Sequence, residues 1–201
     1  MYQLLPEIKN NFAEAEKIIK QIERLGEGIA FPAVNQLRYV SYHLLRALSS
    51  EDKDYIDDEM REALYHTHRA IHDSSEIGIA FLIETIREFQ LDYKTVSVTD
   101  VVPEWIDILK QTNEAKNYIS TRTDNSVKEH AIGTDETHSD IELPTQRYKL
   151  YFCLLLQYAD RLKIARVELN KKVTSKRNAM IISTATVGLS LLGILISLIF
   201  N

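Results

Sequence analysis

Histidine and arginine gather in one part of this chain. Arg38, Tyr39, His43 and Arg46 lie within nine residues, and Arg61, His66, His68, Arg69, His72 and Asp73 fall within a second window of thirteen, so four of the six histidines are here. An imidazole that titrates near neutrality can take or give a proton, and a neighbouring guanidinium can hold a phosphate oxygen in bidentate fashion. Arginine and histidine with four residues between them occur twice, as Arg38 with His43 and as Arg61 with His66. Three uses stand open. The groups could form a buried network satisfied by Glu62, Asp73 or Tyr39. Arg38, His43, Arg46, Arg61, His68, Arg69 and His72 could bind a phosphate-bearing ligand. The histidines could carry out acid/base chemistry on a phosphodiester.

A second pattern lies near the other end. Tyr148, Tyr151, Leu155, Tyr158, Leu162, Ala165 and Leu169 are spaced alternately three and four apart, the repeat that makes helices supercoil. Carried on in phase, the stripe reaches Lys172, Lys176 and Ala179, then Ser183, Thr186, Ser190, Gly193 and Ser197. Lipid tails give helices no hydrophobic reason to associate, so small and hydroxylic stripes are where they pack. Such a stripe serves as a homodimer seam, as the lining of a pore in a parallel ring of four or more copies, or as nothing in a passive tail. In the ring, Lys172 and Lys176 would form a cationic vestibule above stacked hydroxyls.

A third group, His130, Asp135, Glu136, His138 and Asp140, matches no metal-ligand spacing and reads as part of a solvated loop or loosely helical linker between about 121 and 141. The sequence has no Walker loop, no HExxH, no GxSxG and no paired-cysteine motif, so no catalytic residue, metal or cofactor is assigned. Cys153 is the lone cysteine, has no intrachain partner and fits a reducing compartment.

The elements that must position these residues are helices, and the predicted class is all-α: a helical bundle whose long final helix continues into a membrane span. Pro6, Pro32, Pro103 and Pro144 each stand where a helical pattern begins, the position that tolerates a missing amide hydrogen. Apolar residues recur at threes and fours from Leu5 to Ile22 until Gly26 and Gly28. They recur again from Leu37 to Leu48, from Ile56 to Phe89, and from Trp105 to Ile119. Ser49 and Ser50 with Glu51, Asp52 and Asp54 place carboxylates at the start of the third helix. Only Thr95 to Thr99 looks like a strand.

From Ala179 to Phe200 the chain carries no charge in 22 residues, enough to span the roughly 30 Å hydrocarbon layer at about 1.5 Å per residue. Only Asn201 follows it, so the anchor is expected to insert after synthesis, and the amino terminus lacks the basic and apolar regions of a secretory signal. Between 161 and 177 seven cations face one carboxylate, Glu168, which places the rest of the chain on the cytoplasmic face and lets the collar meet anionic lipid. Removing that +6 from the chain's −5 leaves −11 on residues 1 to 160, which excludes a broadly basic nucleic-acid platform. The organisation expected is a cytoplasmic helical domain over 1–143, a coiled-coil-like helix and basic collar over 144–178, and a transmembrane helix over 179–200.

Two resemblances follow from these residues. The Arg38/His43 and Arg61/His66 pairs are similar to the RNA-cleaving motif of HEPN domains, although Tyr39 and Glu62 follow the arginines where an amide or acid is common in active members. The resemblance implies a membrane-tethered ribonuclease. The whole architecture resembles the small membrane effectors of bacterial anti-phage operons, of the Hailong channel type, through the segments from Leu37 to Arg46 and from His66 to Asp73 and the apolar tail. That likeness implies a homo-oligomer, a tetramer by preference, in the bacterial inner membrane. It also implies control by a nucleotide or DNA oligomer from a partner nucleotidyltransferase, and opening that depolarises the membrane on infection. A tail-anchored adaptor is the remaining expectation.

Overall fold

Local chemistry sets where the helices begin and end. The computed structural model describes residues 2–26, 30–130 and 138–199, with the side chains of 2–26, 30–121 and 145–187. Helix α1 (Leu5–Arg24) has Pro6 in its first turn and stops before Gly26, whose φ of +92° would strain any side chain. Helix α2 (Phe31–Leu48) starts with Pro32 in its first turn and ends where the Ser49 hydroxyl donates to the Leu45 carbonyl at 2.7 Å. Asp52 caps α3 (Lys53–Asp92), accepting from the backbone N–H groups of Asp54 at 3.0 Å and Tyr55 at 3.4 Å. Helices α4 (Trp105–His130) and α5 (His138–Ile199) complete the described elements, and no strand is present among the described residues. The strand-like stretch from Thr95 to Thr99 is a turn.

At 1.5 Å per residue α3 is about 60 Å long, and α1, α2 and α5 pack along it. Its first half buries Ile56, Met60 and Ala63 with Ile8 of α1 and Val40 and Ala47 of α2. Its second half buries Ile79, Leu82, Ile86 and Phe89 with Ile18 and Ile22 of α1 and Phe152, Leu155 and Leu162 of α5. A Cβ on Gly78 would lie 2.6 Å from Phe152 Cδ2 of α5 and 3.4 Å from Ile22 Cδ1 of α1, so the close packing against α3 here requires glycine. Beyond α3 the chain folds back, and Val98, Val102 and Trp105 close the end of the core under Phe89, whose ring lies 5.4 Å from that of Trp105.

The structure bears on three expectations. Helix α4 continues to His130 and α5 begins at His138 rather than at Pro144, so much of the expected linker over 121–141 is helical. The physical reason is that no glycine or proline interrupts the chain between Trp105 and His130. The side chains of His130, Asp135, Glu136, His138 and Asp140 lie outside the described residues. Second, Tyr148, Phe152, Leu155, Leu162 and Leu169, all beyond position 143, are buried in one cluster with α1 and α3. Third, Tyr148, Leu155, Leu162, Ala165 and Leu169 of the seam are buried within one chain, while Tyr151 and Tyr158 are partly exposed. A three-and-four repeat specifies an apolar stripe without naming its partner, and a tethered α3 meets it at far higher effective concentration than another molecule does.

Among the described residues no helix is long and apolar enough to cross a membrane. Of the stretch expected to span, 179–199 forms the last part of α5, whose backbone helix runs to Ile199. Met180, Ile181, Ile182 and Val187 are exposed, and the side chains from 188 onward lie outside the described residues.

Candidate functional site in the α2 and α3 hairpin

The short connection from Ser49 to Asp52 folds α3 back along α2, and residues four apart line one face of each helix: Tyr39 and His43 on α2, Glu62 and His66 on α3. Packing these faces together places the His43 ring on that of His66, with centroids 5.1 Å apart and planes inclined by 19°. Tyr39 stacks on His66 at 5.1 Å and 24°, and the Arg38 guanidinium lies over Tyr39 at 5.1 Å. On the His43 side, Tyr42 meets its ring edge-on at 5.3 Å, and the Arg46 guanidinium lies over Tyr42 at 5.4 Å. The result is a column of cation, phenol, imidazole, imidazole, phenol and cation. Its outer members Arg38, Tyr39 and Tyr42 are exposed, while His43 and His66 are half-buried.

Hydrogen bonds fix the protons on both imidazoles. Buried Glu59 can only accept, so His43 Nδ1 donates to its Oε2 at 2.8 Å. Gln36 Nε2 donates to the Asp73 carboxylate at 3.4 Å, which turns Gln36 Oε1 toward His66, so His66 Nδ1 donates to it at 2.8 Å. In the neutral form of either ring the lone pair is then on Nε2. Burial, then the neighbouring His43 and Arg69, lowers the His66 pKa from 6.5 to about 4, which holds that ring neutral. Arg46 pairs with Glu59 at 3.0 Å and donates to Tyr55 at 2.7 Å and Tyr42 at 3.1 Å. Those two hydroxyls, Tyr55 first, and then the Glu59 charge raise its pKa further.

The hairpin gathers His43 and Arg46 with His66, and leaves other expected site residues elsewhere. Five positions along a helix turn about 140°, so Arg61 does not share a face with His66; it pairs with Asp58 on the surface. His68 faces α1, with its Nε2 3.5 Å from Asn11 Nδ2 and 3.9 Å from Glu7. Arg69 lies 3.7 Å from Asp73, and His72 lies 3.3 Å from the same carboxylate. The His72 ring contacts Tyr148 of α5 at 4.4 Å, which joins this hairpin to the last helix. Sequence reasoning missed Gln36, Tyr42, Tyr55 and Glu59; the spacing of Tyr42 and Arg46 four apart was the one local signal.

On α5 the collar cations reach their own domain. Arg166 pairs with Asp92 at 2.8 Å, Arg161 with Glu104 at 2.9 Å and Lys172 with Asp100 at 3.2 Å, while Lys176 donates to the Thr95 carbonyl at 2.5 Å. Ser183 and Thr186 are exposed, and the Thr186 hydroxyl donates to the Ile182 carbonyl at 2.8 Å. The side chains of Ser190, Gly193 and Ser197 lie outside the described residues. From Tyr148 through Leu155 and Leu162 to Leu169 the stripe keeps one buried face. Among the described side chains, one ligand atom from each of His43, Glu62 and His66 lies within 4.8 Å of the others. No protein-family model, curated protein or solved structure matches the chain.

Proposed function

We propose that this protein is a homo-oligomeric, single-pass membrane effector of bacterial anti-phage defence: a channel whose cytoplasmic helical domain binds a nucleotide or oligonucleotide and transmits that binding along α5. The observation that carries the reading is the exposed column of Arg38, Tyr39 and Tyr42 joined to α5 through His72 and Tyr148. Guanidinium groups hold phosphates and phenol hydroxyls offer hydrogen bonds, so the column has the chemistry of a phosphate-bearing ligand's site. The uncharged 179–200 stretch and its cationic collar support an inner-membrane anchor. Exposed Phe31 (70%), Leu45 (65%) and Leu48 (67%) on α2 supply an apolar surface for further copies, with a tetramer the expected assembly. Ser183, Thr186, Ser190, Gly193 and Ser197 would then line the conduit.

Moving such a channel from nearly all closed to nearly all open requires about 5.5 kcal/mol of differential ligand affinity, more than one arginine supplies. Planar-bilayer recording with short DNA oligomers tests the proposal, together with the mass of the detergent-solubilised particle. Conductance from a tetramer, stopped by Ser190→Leu with membrane binding intact, is expected. A dimer without conductance under every ligand condition overturns it and leaves a tail-anchored adaptor.

One observation favours a second reading, the HEPN-like ribonuclease: the histidines of the two Arg/His pairs stack on each other. In that case the purified protein cleaves RNA and His43→Ala abolishes the cleavage, whereas a channel conducts and cleaves no RNA.

A further inference from the structure

We propose that His43, His66 and Glu62 bind one divalent transition-metal ion per chain, with zinc the best fit, through two imidazole Nε2 atoms and a carboxylate oxygen. The three side chains offer ligand atoms within 4.8 Å of one another. Two imidazoles and one carboxylate are a known three-ligand zinc set, which leaves a position open to water or a ligand oxygen. At metal–ligand lengths of about 2.0–2.2 Å the donor atoms of a tetrahedral site stand about 3.4 Å apart, so binding draws the trio together by at most about 1.4 Å. Glu62 is exposed and able to close most of that gap.

The outer shell makes this more than a chance cluster. A ligating histidine nearly always donates its second ring nitrogen to a carboxylate or carbonyl, which fixes the tautomer and aims the lone pair at the metal. Both histidines do so here, at 2.8 Å to Glu59 and at 2.8 Å to Gln36. Each acceptor is itself held, Glu59 by Arg46 at 3.0 Å and Gln36 by Asp73 at 3.4 Å. A nitrogen and oxygen set of this kind favours zinc, cobalt, nickel, copper or ferrous iron over calcium and magnesium. The ion would clamp α2 to α3, and its binding is independent of whether the chain forms a channel.

The test uses tag-free, full-length protein in detergent, stripped with chelator and titrated with zinc alone by calorimetry, with cobalt as a spectroscopic substitute. One zinc per chain, a raised melting temperature and the visible bands of a low-symmetry cobalt site are expected. Glu62→Gln weakens binding at least tenfold, His66→Asn removes it, and Glu59→Gln weakens it by about 10–100-fold through the outer shell. Glu62 is exposed, so its variant reports on the site even if His66→Asn fails to fold. Zinc affinity weaker than millimolar, or unchanged by Glu62→Gln, overturns the site.

Discussion

The hairpin of α2 and α3 and the length of α5 beyond Leu169 are both rich in polar side chains and use them in opposite ways. In the hairpin, hydrogen bonds cross from helix to helix over 9 to 37 residues of sequence, and buried Glu59 serves both His43 and Arg46. Along α5, exposed hydroxyls turn back on their own helix, as Thr184 does to the Met180 carbonyl and Thr186 to that of Ile182, and the collar lysines meet exposed groups. A polar group inside a hairpin specifies how two helices sit, because leaving it unsatisfied is costly. A hydroxyl bonded to its own turn keeps the helix intact whatever surrounds it.

The sharpest way to break this comparison is to remove what holds α5 against α3. Phe152→Ala empties the site opposite Gly78 and is expected to destabilise the domain by about 3–5 kcal/mol, read from urea unfolding. A loss below 1 kcal/mol would mean that α5 is not part of the core. Next in size is Glu59→Ala, which strips an acceptor from His43 and the anion from Arg46. A loss of about 1–3 kcal/mol is expected, with a larger amplitude of Tyr42 and Tyr55 motion by NMR.

Acid should discriminate the two regions without a mutation. The folded His66 pKa of about 4 lies below its ordinary 6.5, so the unfolded chain binds the proton more readily between those values. The contribution of neutral His66 is fully present above pH 6.5 and is lost as the pH falls to about 4. Urea midpoints in chelator-containing buffer should fall over that window, and His66→Gln should flatten the His66 part of the slope. Midpoints that rise on acidification would contradict this. The smallest effect belongs to the collar: Lys172→Ala, which removes a pair that is largely in solvent, should cost less than about 1 kcal/mol and lose even that at high salt. A larger, salt-resistant loss would place Lys172 among the residues that specify the fold.

Much of the helical layout was legible residue by residue. Pro6, Pro32, Gly26 and Asp52 mark ends that the structure uses, and the apolar positions of α1 and α3 are the ones it buries. The candidate site was legible only in part. Arg61 was drawn in by its spacing to His66, although five positions turn it to another face. Glu59 and Gln36 escaped notice because they reach His43 and His66 only through the register of the hairpin, which no local pattern encodes. Likewise the stripe from Tyr148 to Leu169 announced an apolar face and left open whether a second copy or the chain's own α3 would cover it.

The sequence by itself determined the all-α class, most helix boundaries, the charge of the collar and the uncharged stretch after it. Those properties depend on residues within about four positions of one another, where periodicity and capping act. Only the tertiary structure decided that the imidazoles of His43 and His66 stack, which nitrogen of each keeps its lone pair, and that the α5 seam closes on its own domain. The rotation and crossing of packed helices arise from the sum of many weak contacts along their length, and no short window of sequence contains that sum.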